Sequence, residues 1–148
     1  MNEHGWGPLT GNMISGVGSI AVLVTHAGKS AEWYRDKLDF EIVESNGHAV
    51  FVRPKGSKVL LHLCAKCKGW DGDMPGGRTG IWLTCGKLRT RRDKKSGVLI
   101  PSSDPAEVER TYHALRRKRV EFAEKLTTTS WGKYAILKDP DGNEFELS

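Results

Sequence analysis

One order of periodicities occurs twice in this chain, and few folds accommodate it. In residues 17–25 apolar side chains alternate, with Ile20, Val22 and Val24 on one strand face and Ser19, Ala21 and Leu23 on the other. Ala31, Tyr34 and Leu38 then recur at helical spacing over residues 28–38. Three strand-like runs follow: residues 40–45, residues 48–53 after the two-residue turn signal Asn46-Gly47, and residues 58–65 after Pro54-Lys55-Gly56-Ser57. The pattern is βαβββ. It returns in residues 79–85, in a helix whose stripe is Val108, Tyr112 and Leu115, and in residues 120–125, 133–138 and 143–147, with an extra short apolar run at residues 98–101.

Local chemistry marks the element ends. The second helix opens at Asp104-Pro105-Ala106-Glu107, with aspartate at the cap, proline at the first helical position and glutamate completing a capping box. The last two strands flank Asp139-Pro140-Asp141-Gly142, where Pro140 presets one turn dihedral and Gly142 accepts a positive one, so they close as a hairpin. In its second arm Phe145 and Leu147 face one way, Glu144 and Glu146 the other.

These signals predict one α+β domain over residues 17–148, made of two βαβββ units at about 17–66 and 79–148, behind a mobile glycine-rich lead-in at residues 1–16. No apolar run is long enough to cross a bilayer, and the chain start lacks a secretory pattern, so a cytoplasmic location is expected. Three cysteines, an odd number, do not suggest a disulfide scaffold, and free thiols are expected.

The net charge of +5 has one source: Lys87, Arg89, Arg91, Arg92, Lys94 and Lys95 against Asp93, an excess equal to that of the whole chain. Nucleic-acid binding would call for stacking aromatics among these cations, and the run contains none. An anionic small molecule or a solvated loop fits better. A second run, Arg116-Arg117-Lys118-Arg119, is flanked by glutamates and reads as a solvated helix face.

Two consecutive βαβββ units of this length resemble the vicinal-oxygen-chelate superfamily, which groups glyoxalase I, bleomycin-resistance proteins, fosfomycin-resistance enzymes and extradiol dioxygenases. The most specific likeness lies in Ala31-Glu32-Trp33-Tyr34-Arg35-Asp36-Lys37-Leu38-Asp39-Phe40 and in the stretch from Trp131-Gly132 through Asp139-Pro140-Asp141-Gly142-Asn143-Glu144-Phe145-Glu146-Leu147. The resemblance implies a curved mixed sheet around a cleft, a homodimer and, in the enzymes, a divalent metal such as zinc, nickel, manganese or iron on the concave face.

Carried over by the resemblance, the four metal-ligand positions fall on Ser19, on His62, on Gly80 (or Val98, if the run nearest the second helix takes that place) and on Glu146. Only His62 and Glu146 are plausible ligands. Catalytic zinc takes three protein ligands and non-haem iron two histidines with a carboxylate, so a family-type metal is not expected.

Other constellations are weaker. His62, Cys64 and Cys67, with Cys85 further on, could capture a soft metal such as zinc or mercury, but a single Cys-x2-Cys pair is poor evidence for a zinc site. His62 and Glu146 could form an acid and base pair without metal, although no nucleophile accompanies them. Trp82 shares its strand face with Gly80 and Thr84, and Trp131 sits at the mouth of the last hairpin, so both are candidate stacking walls. The expected function is small-molecule binding by His62, Trp82, Trp131 and Glu146, without cofactor. The alternative is a divalent-metal-dependent lyase, isomerase or dioxygenase with His62 and Glu146 as ligands.

Overall fold

A computed structural model describes residues 13–65, 75–87 and 89–148. Most of the expected lead-in, together with Cys67, lies outside the described residues. The first unit comprises β1 (Ser19–Leu23), α1 (Ala27–Leu38), β2 (Phe40–Asn46), β3 (Ala49–Pro54) and β4 (Leu60–Cys64). The second comprises β5 (Gly77–Leu83), a hairpin of β6 (Arg89–Arg92) and β7 (Leu99–Ser102), α2 (Pro105–Arg117), β8 (Glu121–Thr129), β9 (Gly132–Lys138) and β10 (Asn143–Leu147).

Each unit builds a four-stranded sheet of the same topology, β1-β4-β3-β2 and β5-β10-β9-β8. In both, the first strand pairs in parallel with the last, which a two-residue turn cannot connect, and the intervening helix makes the crossover. This is the α+β fold that the repeat predicts. The fold differs from expectation in the basic segment, which forms its own two-stranded sheet, β6 with β7, in register Arg89 to Ser102 and Arg92 to Leu99.

Helix α1 opens on a cap that periodicity does not reveal: His26 Nδ1 accepts from the Lys29 amide at 3.1 Å. Helix α2 opens as Asp104 and Pro105 dictate, with the Asp104 carboxylate accepting from Ala106 N at 3.0 Å; Glu107 pairs with Arg110 at 3.1 Å. The two-residue loop between β2 and β3 is Gly47-His48, one residue later than the Asn46-Gly47 signal, because Asn46 still pairs with Ala49 and Gly47 takes φ +65.

One apolar cluster spans both units. It joins Val22, Ala31, Tyr34, Leu61 and Leu63 of the first to Val108, Leu115, Leu137, Phe145 and Leu147 of the second. Tyr34 stands edge-on to Phe145, ring centroids 5.9 Å apart, so α1 covers the seam between the sheets.

The Asp-Pro-Asp-Gly-Asn turn forms the polar half of that seam. Asp139 is buried and gathers four donors: Tyr34 Oη at 2.7 Å, Asp141 N at 2.9 Å, Asn143 N at 2.8 Å and Asn143 Nδ2 at 2.9 Å. Asn143 Nδ2 also donates to Leu23 O of β1 at 2.7 Å, while its Oδ1 accepts from Gly76 N at 3.0 Å. Asp141 accepts from both the amide and the hydroxyl of Thr25. A turn legible as a hairpin signal thus ties the second sheet to the first, and buried polar groups satisfied in this way hold one arrangement of the two units.

Between the open edges of β1 and β5 lies a slot of about 230 Å³, lined by residues 20–23 and 75–79 with Ile81 and Asn143. No described helix is long and apolar enough to cross a membrane.

Candidate functional site

Strand alternation fixes what faces away from the helices. Leu61 and Leu63 enter the core, so His62 projects from the opposite face of β4; Phe145 and Leu147 enter it, so Glu146 does the same from β10. Glu146 lies in register with Ile136 of β9 and Trp82 of β5.

A bulge sets the Trp82 position. Four residue steps of β5, from Arg78 to Trp82, span two steps of β10, from Glu144 to Glu146. Thr79 anchors the bulge by donating its hydroxyl to Glu144 O at 2.7 Å and accepting from Ile81 N at 3.1 Å; Gly80 inside it takes φ +75. Ile81 then packs against the core, and Trp82 returns to the open face beside Glu146.

There a cavity of about 530 Å³ opens, within the range usual for small-molecule sites. Trp82, Glu146 and Lys133 line it from the second sheet, Trp131 from the turn between β8 and β9, and Arg91, Pro101 and Ser102 from the β6–β7 hairpin. Trp82 and Trp131 are 52% and 61% exposed. Trp131 stacks on Tyr134 at 5.7 Å and 22°, which steadies its ring. Ser103, also in the lining, accepts from Cys85 N and donates to Ser148 O, both at 2.7 Å, holding the chain end against the start of α2. Lys133 Nζ meets Glu109 Oε2 at 2.6 Å, and its ammonium holds the Glu109 carboxyl below the usual carboxylate range.

Of the four residues expected at the site, the structure brings three to one cavity. His62 is not among its lining residues: Phe51 stacks flat on the imidazole at 4.6 Å and 15°. Its Nε2 is buried without a hydrogen-bond partner. No hydrogen bond or ion pair joins His62 to Glu146. Arg91 also lines the cavity, a place that nothing in the sequence of its basic segment distinguishes from that of Arg89 or Arg92.

The metal positions that the resemblance implies fit an ion poorly. Strand β5 pairs with β10 as β1 pairs with β4, so the third position is Gly80 on β5, and Val98 lies outside that sheet. Gly80 lacks a side chain, its positive φ would strain any ligating residue, and Ser19 offers only a hydroxyl. Among the described residues no group of three or more His, Cys, Asp or Glu is placed to hold an ion.

The cysteines require a correction. Cys64 is disulfide-bonded, and among the described residues Cys85 is a free thiol. An odd count leaves one thiol over but does not forbid a pair. Burial pushes the Cys85 thiol up to about 11, with Glu107 adding to the rise against a hydrogen bond from Thr111.

With this geometry in view, comparison with known proteins is decisive for the family. The model of the Glyoxalase/Bleomycin resistance protein/Dioxygenase superfamily matches residues 16–147. The chain belongs to that superfamily. Among members of known structure, one from Sphaerobacter thermophilus shares 29% identity at a TM-score of 0.69, over 92% of this chain and 98% of its own. TnmS3 from Streptomyces sp. CB03234, described as an antibiotic binding protein, shares 24% at 0.65, over 93% and 98%. Lactoylglutathione lyase from Agrobacterium tumefaciens shares 18% at 0.61, over 92% and 94%, so superfamily likeness at this distance extends to the fold and not to the chemistry. YetH of Bacillus subtilis, uncharacterised, is 23% identical over 140 residues, 91% of this chain and 98% of its own.

Proposed function

We propose that this superfamily member binds a small molecule in the 530 Å³ cavity without a metal cofactor, as a binding or sequestering protein of the antibiotic-resistance type. The observation that carries this reading is the pair of exposed indoles, Trp82 and Trp131, on one cavity with the Glu146 carboxylate. Large aromatic faces left in solvent mark a surface that gains by being covered, and indole stacking suits planar ligands. The antibiotic-binding description of the structurally similar TnmS3 agrees with it.

Thermal-shift measurements on untagged protein stripped of metal test it, with aromatic compounds added in excess chelator and divalent metals added after the chelator has been removed. Planar aromatic compounds are expected to raise Tm in proportion to the logarithm of their concentration, and divalent metals are expected to leave it unchanged. A stoichiometric divalent ion, lost in Glu146→Ala, contradicts the reading.

The orphaned His62 Nε2 favours one other reading, a divalent-metal-dependent lyase, isomerase or dioxygenase using His62 and Glu146. Two ligands where three or four are usual weigh against it.

The reading also takes the protein as a cytoplasmic homodimer. Support for pairing comes from the apolar side chains Val43, Val98 and Leu99, which are left exposed. Light scattering coupled to size exclusion tests it, a monomeric mass being the contrary result.

A further inference from the structure

We infer that the cavity takes a planar aromatic ligand bearing an acidic group, and that Arg91 reads the acid. This rests on the small-molecule reading above and narrows it to a ligand class.

Three charged side chains line the cavity: Arg91, Lys133 and Glu146. Lys133 is already committed to Glu109 at 2.6 Å. The three arginines of β6 differ in the same way. Arg89 Nη1 lies 3.4 Å from Asp104, and Arg92 Nη1 donates to Gly97 O at 2.6 Å. Arg91, between them, makes no hydrogen bond or ion pair with a described residue, and it is the one that reaches the cavity. Its guanidinium keeps a full set of donors for a carboxylate, sulfonate or phenolate.

The other walls set the ligand's shape and direction. Trp82 and Trp131 offer faces for a planar body. Glu146, in register beside Trp82 and without a hydrogen bond or ion pair to a described residue, repels an acid from the sheet side and accepts a hydroxyl or amine there. The acid is thereby directed toward the hairpin, whose cations also raise the local concentration of anions. The hairpin thus becomes a specificity element inserted between β5 and α2.

A matched pair of fluorescent probes isolates the acid: 8-anilinonaphthalene-1-sulfonate and its uncharged parent N-phenyl-1-naphthylamine. Wild-type protein should bind the sulfonate more tightly, and added salt should weaken the sulfonate alone. Arg91→Gln should weaken the sulfonate by about three- to fivefold, toward the upper end for a solvent-exposed ion pair, and leave the parent unchanged within error. Arg91→Lys should retain most of the affinity, and Arg92→Gln, on the opposite hairpin face, should leave it unchanged. Equal binding of the two probes, an equal loss of both in Arg91→Gln, or an equal effect of Arg92→Gln overturns the role of Arg91 while the cavity reading stands. Failure of both probes to bind overturns that reading as well.

Discussion

The Tyr34 hydroxyl donates to Asp139 Oδ2 at 2.7 Å, joining a helix of the first unit to the final turn of the second across 105 residues of sequence. Both side chains are buried. Tyr34→Phe keeps the ring against Phe40 and Phe145 but leaves Asp139 one donor short. It is expected to cost about 1–3 kcal/mol, the range for an unmatched buried polar group, read as a lowered midpoint in urea with an unchanged slope.

Stability should fall in alkali. Burial first, then the adjacent Asp139 carboxylate, raise the Tyr34 phenol well above its ordinary range, and burial raises the Cys85 thiol to about 11. Both groups hold their protons longer when folded than when unfolded, where they titrate near 10 and 9. Their contribution is therefore complete below pH of about 9 and is lost as pH rises through the folded values. Thermal melts between pH 8 and 11 should show Tm falling, less steeply in Tyr34→Phe. A flat profile in the wild type contradicts this.

Asn143 connects the sheets through Leu23 O, Gly76 N and Asp139. Asn143→Ala removes all three side-chain bonds at a buried position and should cost about 2–4 kcal/mol, summing lost bonds and unmatched partners. Amide exchange should quicken at Gly76, whose N–H loses its acceptor. Exchange unchanged there contradicts the assignment.

The Cys85 thiol should be sluggish toward disulfide reagents in native protein. Raised to about 11, it carries roughly a hundredth of the ordinary thiolate at pH 8, and burial slows it further. Denaturant should release it, while rapid native labelling at Cys85 contradicts this placement.

Much of the fold was legible because periodicity and turn chemistry act locally. Tyr34 and Leu38 announce a helix face, and Pro140 with Gly142 announces a turn. The functions of the same residues were not legible, since the Tyr34 to Asp139 bond depends on how two units meet. The β6 strand, Arg89 to Arg92, is exposed at all four positions and carries no apolar alternation to betray it. Its pairing with Leu99 to Ser102 appears only in three dimensions, and with it the place of Arg91 on the cavity. Trp82 and Glu146 share a cavity because a bulge in β5 brings them into register, and Gly80 is a weak hint of such a bulge. His62 illustrates the converse: its strand and face follow from alternation, but its stacking under Phe51 does not.

The account centres on a cavity whose affinity comes from indole faces and not from a metal. The direct measurement is a fluorescence titration with N-phenyl-1-naphthylamine in excess chelator, comparing wild type with Trp82→Ala combined with Trp131→Ala. Saturable binding that survives chelation and weakens by about fivefold or more in the double variant is the predicted result, given roughly 0.5–1.5 kcal/mol for each of the two aromatic contacts. Binding that disappears with chelator, returns with a divalent ion and is insensitive to the tryptophans would contradict it.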